Sequence, residues 1–94
     1  MKKNDIYDKA IQHYGKNNQL LQTCEECSEL IQAISKAVRF NDAEHILGVA
    51  EEISDVEIMI EQIKRIFGIN QSTIDSYKNK KLNRLEQYIE TDQR

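Results

Sequence analysis

Two short acidic segments hold the residues of this sequence best suited to chemistry. The first is Glu25-Glu26-Cys27-Ser28-Glu29-Leu30; the second, later in the chain, is Glu51-Glu52-Ile53-Ser54-Asp55. Each places two carboxylates three residues apart. A helix turns by roughly 100° per residue, so positions i and i+3 share a face, and Glu26 with Glu29 and Glu52 with Asp55 each form a small oxygen clamp. If the two helices face one another, four carboxylates converge and repel. A divalent cation that prefers hard oxygen ligands is the simplest way to keep all four ionised there. The expectation is an acidic, magnesium-type site between two helices.

Taken singly, either clamp is ordinary, because glutamate is a good helix former and solvated acidic faces are common. The second clamp is less ordinary. On the helical wheel Glu52 falls inside the apolar arc, close in angle to Val56 and Ile63, and Asp55 lies on its border near Met59 and Ile66. A charge aimed into a packed face costs several kcal/mol unless something pairs with it. A di-iron carboxylate bundle would need Glu-x-x-His pairs, and neither His13 nor His45 stands three residues after a glutamate.

Lys78, Lys81 and Arg84 step by three along one stretch. Alone they read as snorkelling side chains that cover apolar surface. Beside a carboxylate metal site they suit a polyphosphate, since metal bridges some phosphate oxygens and Lys or Arg neutralises others. Lys36 is a weaker candidate for the same work. Tyr7, His13, Tyr14 and Gln19 can stack on or hydrogen-bond a base. Cys24 and Cys27 have CxxC spacing but no second ligand pair for a zinc site, so they are expected to be reduced core residues.

The elements that must position these groups are helices. The chain has no proline and only three glycines, at 15, 48 and 68, with abundant Leu, Ile, Glu, Lys and Gln. A first helix is expected over about 5–14, capped by Asn4 or Asp5 and ending at Gly15. A second, capped by Asn17 or Asn18, carries the stripe Leu20, Cys24, Cys27, Leu30, Ile31, Ile34 and Val38. Phe40-Asn41-Asp42 makes a turn, with Asp42 as N-cap of a third helix. Its stripe is Ile46, Val49, Ile53, Val56, Ile60, Ile63 and Phe67, up to Gly68. Ser72, with Asp75 as capping-box acid, is expected to open a fourth helix bearing Ile74, Tyr77, Leu82, Leu85, Tyr88 and Ile89. The polar tail from Glu90 to Arg94 is expected to fray.

At 94 residues without an internal repeat, the chain reads as one all-α domain over 1–94, a four- to five-helix bundle. Hydrophobic residues at 39% and charged residues at 31% fit a globular protein, and a net charge of -3 argues against nucleic acid as a partner. No apolar run approaches the ~20 residues that span a bilayer, so no membrane partner is expected. Met1-Lys2-Lys3-Asn4-Asp5 leads into no signal-type apolar core, and the expected location is cytoplasmic. Helical chains this short often gain missing burial by assembling, here as a homodimer or homotetramer.

EECSEL, a spacer of 22 residues from 30 to 51, and EISD within EEISDVEIMI resemble the MazG-like nucleoside triphosphate pyrophosphohydrolases of the all-α NTP pyrophosphatase superfamily. The likeness runs from about Gly15 to Arg84. It implies an oligomeric α-helical subunit with Glu26, Glu29, Glu52 and Asp55 as ligands of Mg²⁺, or of Mn²⁺ as a substitute. Lys78, Lys81 and Arg84 would hold phosphate, and Glu25 or Glu51, the extra acid beside each clamp, would orient the attacking water. The implied reaction splits a nucleoside triphosphate between its α and β phosphates, giving a monophosphate and pyrophosphate. The chain differs from larger members in having no tryptophan and no second catalytic repeat. Two alternatives stay open: phosphoribosyl-ATP pyrophosphohydrolase, which shares the pattern, and a non-catalytic helical oligomerisation module.

Overall fold

The computed structural model describes residues 1–91, and the helices among them are α1 (Lys3–Tyr14), α2 (Lys16–Phe40), α3 (Ala43–Phe67) and α4 (Gln71–Thr91). No strand occurs among the described residues, and no helix there is long and apolar enough to cross a membrane. Glu90 and Thr91 are helical, and the rest of the tail expected to fray lies outside the described residues.

The breaks fall where the backbone needs an unusual residue. Gly15, with φ at 94°, separates α1 from α2 without a loop. Asn41, in the left-handed region at φ 47°, closes α2 by donating its N–H to the Ala37 carbonyl at 2.8 Å. Asp42 caps α3 as expected, its carboxylate accepting the His45 N–H at 2.9 Å. At Gly68, φ 64°, the chain turns so that the Ile69 N–H reaches the Lys64 carbonyl at 2.8 Å.

Three expected caps do other work. Asn4 does not cap α1, which begins at Lys3; its side-chain oxygen accepts from Arg65 at 3.1 Å. Asn18 does not cap α2 but donates to the Tyr14 carbonyl at 2.7 Å, satisfying the end of α1. Ser72 lies one residue inside α4, where the Thr73 and Ile74 N–H groups reach the Asn70 carbonyl, and Asp75 accepts from the Gln71 amide at 2.9 Å.

With only Asn41 and Asp42 between them, α2 and α3 form an antiparallel hairpin, packed along their length. Helix α1 lies across both, and α4 makes little contact with the other three. The register is pinned by a buried bond from the Gln19 amide to the Gln62 side-chain oxygen at 2.7 Å. Counting equal steps along the two helices from that bond brings Glu26 level with Asp55, Glu29 with Glu52, Ala33 with Gly48, and Lys36 with His45.

The interior is thin and largely polar. Met59 is the buried apolar side chain, in company with Gln19, Thr23 and Gln62. The expected apolar stripes are instead mostly open within one chain: Ile31 is 68% exposed, Val38 79% and Phe67 60%, and Ile34, Ile46, Ile53 and Ile60 are also exposed. Cys24 and Cys27 are free thiols on this exposed face, not core residues. Periodicity found the apolar face correctly, but the hairpin contact runs along the neighbouring line of Gln19, Thr23, Glu26 and Leu30. On α4, Tyr77, Leu82 and Ile89 are exposed as well.

The surface measures this mismatch. The chain exposes 7672 Å², whereas a compact monomer of this mass would expose about 5,600 Å². Its radius of gyration is 16.5 Å, against about 12 Å for a compact chain of this length.

Candidate functional site

The antiparallel register brings the two acidic turns together. Glu26, Glu52 and Asp55 each offer a carboxylate oxygen, and these oxygens lie within 4.8 Å of one another. All three residues are half-buried, facing the seam between α2 and α3. The hydroxyls of Ser28 and Ser54, one in each acidic turn, bond back to the carbonyls of Glu25 and Glu51 at 2.8 and 2.7 Å and leave the carboxylates alone.

One oxygen of Glu26 is held by the Gln22 amide at 2.8 Å. Its other oxygen, Oε2, and Oε2 of Glu52 are both shielded from solvent and have no hydrogen-bond partner. Buried acceptors are normally satisfied, so two orphaned oxygens beside a third carboxylate mark an unmet demand for positive charge. The donor set is entirely hard oxygen, which fits Mg²⁺ or Mn²⁺.

The crowding of acids also acts on the carboxyl groups themselves. The Glu52 carboxyl is held above its ordinary range, first by burial and then by the charges of Glu29, Asp55, Glu26 and Glu51. Glu29 is also raised, chiefly by the charge of Glu26 one turn away, then by desolvation and by the charges of Asp55 and Glu25. The charges that act on both groups are negative throughout.

Of the four expected ligands, the structure gathers three in one group. Glu29, exposed, stands beside Glu26 one turn along α2 and level with Glu52. From this point the hairpin opens toward its turn into a cleft of about 280 Å³, lined by Glu29, Lys36, His45, Gly48, Glu51 and Glu52 among others. Lys36 therefore shares this cleft with the acids. Glu51 faces the cleft, while Glu25 is exposed on α2.

The remaining expected substrate residues are placed elsewhere. Gln19 is buried and committed to Gln62, so it serves the packing of the hairpin. Lys78 lines a separate cleft with Ser54, Glu57, Ile58 and Glu61, on the side of α3 turned away from Glu52 and Asp55. Lys81 and Arg84 line the surface of α4 together with Tyr77 and Lys80. Within one chain, the α4 cations and the carboxylates are not neighbours. Tyr7 lies under the Arg65 guanidinium at 4.8 Å, and the rings of His13 and Tyr14 meet edge to face at 4.7 Å.

Two contributors escaped the sequence reading. Gln22, four residues before Glu26, orients that carboxylate, and the i, i+4 spacing of Gln and Glu was the available signal. His45, three residues after its cap Asp42, enters the cleft wall, visible only once the register is known. Comparison of the chain with protein-family models, with curated proteins and with solved structures finds no match.

Proposed function

We propose that this protein is a magnesium-dependent nucleoside triphosphate pyrophosphohydrolase, converting a (d)NTP and water into a (d)NMP and pyrophosphate in the upkeep of nucleotide pools. One observation carries the reading: three carboxylates from two helices converge within 4.8 Å, with two of their oxygens shielded and unpaired. The order and spacing of the two acidic motifs, which resemble those of the MazG-like enzymes, support it.

When bound, Mg²⁺ or Mn²⁺ supplies charge neutralisation and Lewis acidity at the phosphates. Glu26, Glu52 and Asp55 would hold it, with Glu29 beside them as the fourth ligand. Gln22 keeps one oxygen of Glu26 occupied and so directs the other toward the cluster. Glu51, in the cleft wall next to Glu52, accepts the proton of the water that attacks the α phosphorus; Glu25 occupies the equivalent position on α2. The bond between the α phosphorus and the bridging oxygen breaks, and that oxygen leaves with pyrophosphate. The protein contributes position and a fixed field.

The working unit in this proposal is a homodimer or homotetramer. The surface in excess of a compact monomer, about 2,000 Å², is more than the ~800 Å² per partner of a standard interface. The exposed apolar side chains of α2, α3 and α4 are the faces that a partner would cover. Because α4 stands off its own hairpin, assembly is also the route by which Lys78, Lys81 and Arg84 meet the phosphates bound at a carboxylate site.

The test is a panel of ribo- and deoxyribonucleoside triphosphates plus phosphoribosyl-ATP, with Mg²⁺, scored for pyrophosphate against orthophosphate. Pyrophosphate release that stops on chelation supports the proposal. Orthophosphate alone, or no turnover on any substrate, refutes it, the latter in favour of a non-catalytic helical module.

A further inference from the structure

The cleft beside the carboxylates has two chemically different ends. Glu29 and Glu52 form one. Two helical turns toward the hairpin tip, about 10 Å along the axes, Lys36 and His45 stand level and form the other. Ala33 and Gly48 lie between them, and a Cβ built on Gly48 would meet nothing within 4 Å, so this middle layer is open space and not a packed seam. Glu44 and Glu51 complete the charged lining on the α3 side.

His45 is held more firmly than a surface histidine needs to be. Its Nδ1 is 2.6 Å from Asp42 Oδ1, the oxygen that also accepts its backbone N–H at 2.9 Å. Its ring stacks on Phe40 with centroids 4.6 Å apart and planes 22° from parallel. With Nδ1–H donating to Asp42, Nε2 is the ring nitrogen left to meet a ligand, and it donates to a phosphate oxygen when the ligand's approach brings it a proton, the phosphate and Asp42 then flanking the ring on its two nitrogens. Lys36 brings a second flexible donor to the same end.

We propose that Lys36 and His45 form a phosphate-holding end of this cleft, taking the terminal phosphates of a di- or triphosphate whose inner phosphate lies at the carboxylates. A lysine ammonium and a histidine ring nitrogen at one end, beside Glu44, and a carboxylate cluster able to hold a divalent cation at the other match a short polyphosphate, which needs both donors and metal. The identity of the ligand rests on the hydrolase reading; the geometry of the cleft does not. Nothing in the sequence motifs points to His45.

The experiment uses the full chain and two simple probes, inorganic pyrophosphate and tripolyphosphate, with Mg²⁺ present. Binding is measured by calorimetry, and the ring protons of His45 are followed by NMR. The ring signals should shift on binding, and Lys36→Ala and His45→Asn should each weaken affinity about tenfold, as for loss of a charge-assisted hydrogen bond. Asn keeps a donor for Asp42 but has no group at the Nε2 position, whereas His45→Gln can restore that group and should retain more affinity. An unmoved His45 signal on a bound polyphosphate, affinities of both variants equal to wild type, or no binding by wild type overturns the proposal. If wild type binds tripolyphosphate through His45 yet releases no pyrophosphate from any triphosphate, the hydrolase reading fails and this one stands. If it hydrolyses triphosphates while both variants bind them undiminished, the reverse holds.

Discussion

Replacing Glu52 with Gln separates charge from shape at the centre of the carboxylate cluster. In the wild type, Glu52 Oε2 is shielded and unpaired, and its carboxyl is held above the ordinary range by burial and by four neighbouring acids. Gln has nearly the same volume and no charge, and its amide can donate to the oxygens of Glu26 or Asp55 that lie within 4.8 Å. Without metal, Glu52→Gln should therefore unfold at a higher temperature than wild type. With metal the order reverses. Free Mg²⁺ at a hundred times its dissociation constant stabilises wild type by about 2.7 kcal/mol, which for a chain of this size raises Tm by about 10–20 °C. If loss of one converging ligand weakens the site a hundredfold, the same Mg²⁺ gives the variant only RT ln 2, about 0.4 kcal/mol, or ~2–3 °C.

The assay is thermal unfolding by circular dichroism at neutral pH, in chelator and in MgCl₂, with KCl matched for ionic strength so that screening is subtracted. Protein concentration must be fixed, because any assembly would contribute to Tm. The crossing of the two orders is the signature. A variant less stable than wild type in chelator would refute the claim that Glu52 sits in uncompensated repulsion. A variant with the full Mg²⁺ response would remove Glu52 from the ligands, and a wild-type response reproduced by KCl would remove the site.

Metal-free stability should rise as pH falls from neutral. Glu29 and Glu52 have folded-state pKa values above their unfolded ones, so the folded chain binds their protons more tightly, and the gain is complete only below the unfolded value. Asp42 and Glu61 are lowered, by His45 and by Lys64 with Arg65, and their contribution is lost as pH falls through their folded values. A stability maximum on the mildly acidic side is expected in urea melts, moving toward neutral pH with Mg²⁺; a metal-free maximum already at neutral pH would contradict it. Gln62→Leu strands the buried Gln19 amide and should cost about 1–3 kcal/mol by urea unfolding, with Gln19→Leu added in the same chain recovering part of it; an additive double variant would show that the two amides do not act as a pair. Ile53→Asp puts a charge on the exposed apolar face and should lower the mass seen by light scattering, whereas a monomeric wild type would end the assembly argument.

How much of this was legible in the sequence depends on which residues are asked. The helices and their breaks followed from Gly15, Asn41, Asp42 and Gly68, since each break needs a residue that tolerates positive φ or caps a helix. Glu52 was legible as well, because a carboxylate inside an apolar arc is a conflict that a wheel displays. Gln19 was not: as a polar residue it reads as surface or ligand, and only its partner Gln62, far along the chain, makes it interior. The apolar stripes misled in a different way. Periodicity reports that Ile34, Val38, Ile46 and Ile53 share a face, but not whether this chain or another one covers it.

The two faces of the hairpin answer part of that question. Ile34, Val38, Ile46, Val49 and Ile53 line an apolar groove of about 550 Å³ across α2 and α3, while Glu29, Lys36, His45 and Glu52 line the charged cleft across the same two helices. Both span the same stretch of the seam without sharing a lining residue, so they lie on opposite sides of it. The two-residue turn fixes this division, because one residue more or less would rotate α3 by roughly 100° against α2 and carry Glu52 and Asp55 away from Glu26. A second chain seated on the apolar side would thus cover the isoleucines and leave the carboxylates open to a ligand from the other, so the burial that one chain lacks and the access that its site requires impose no conflict on the same short hairpin.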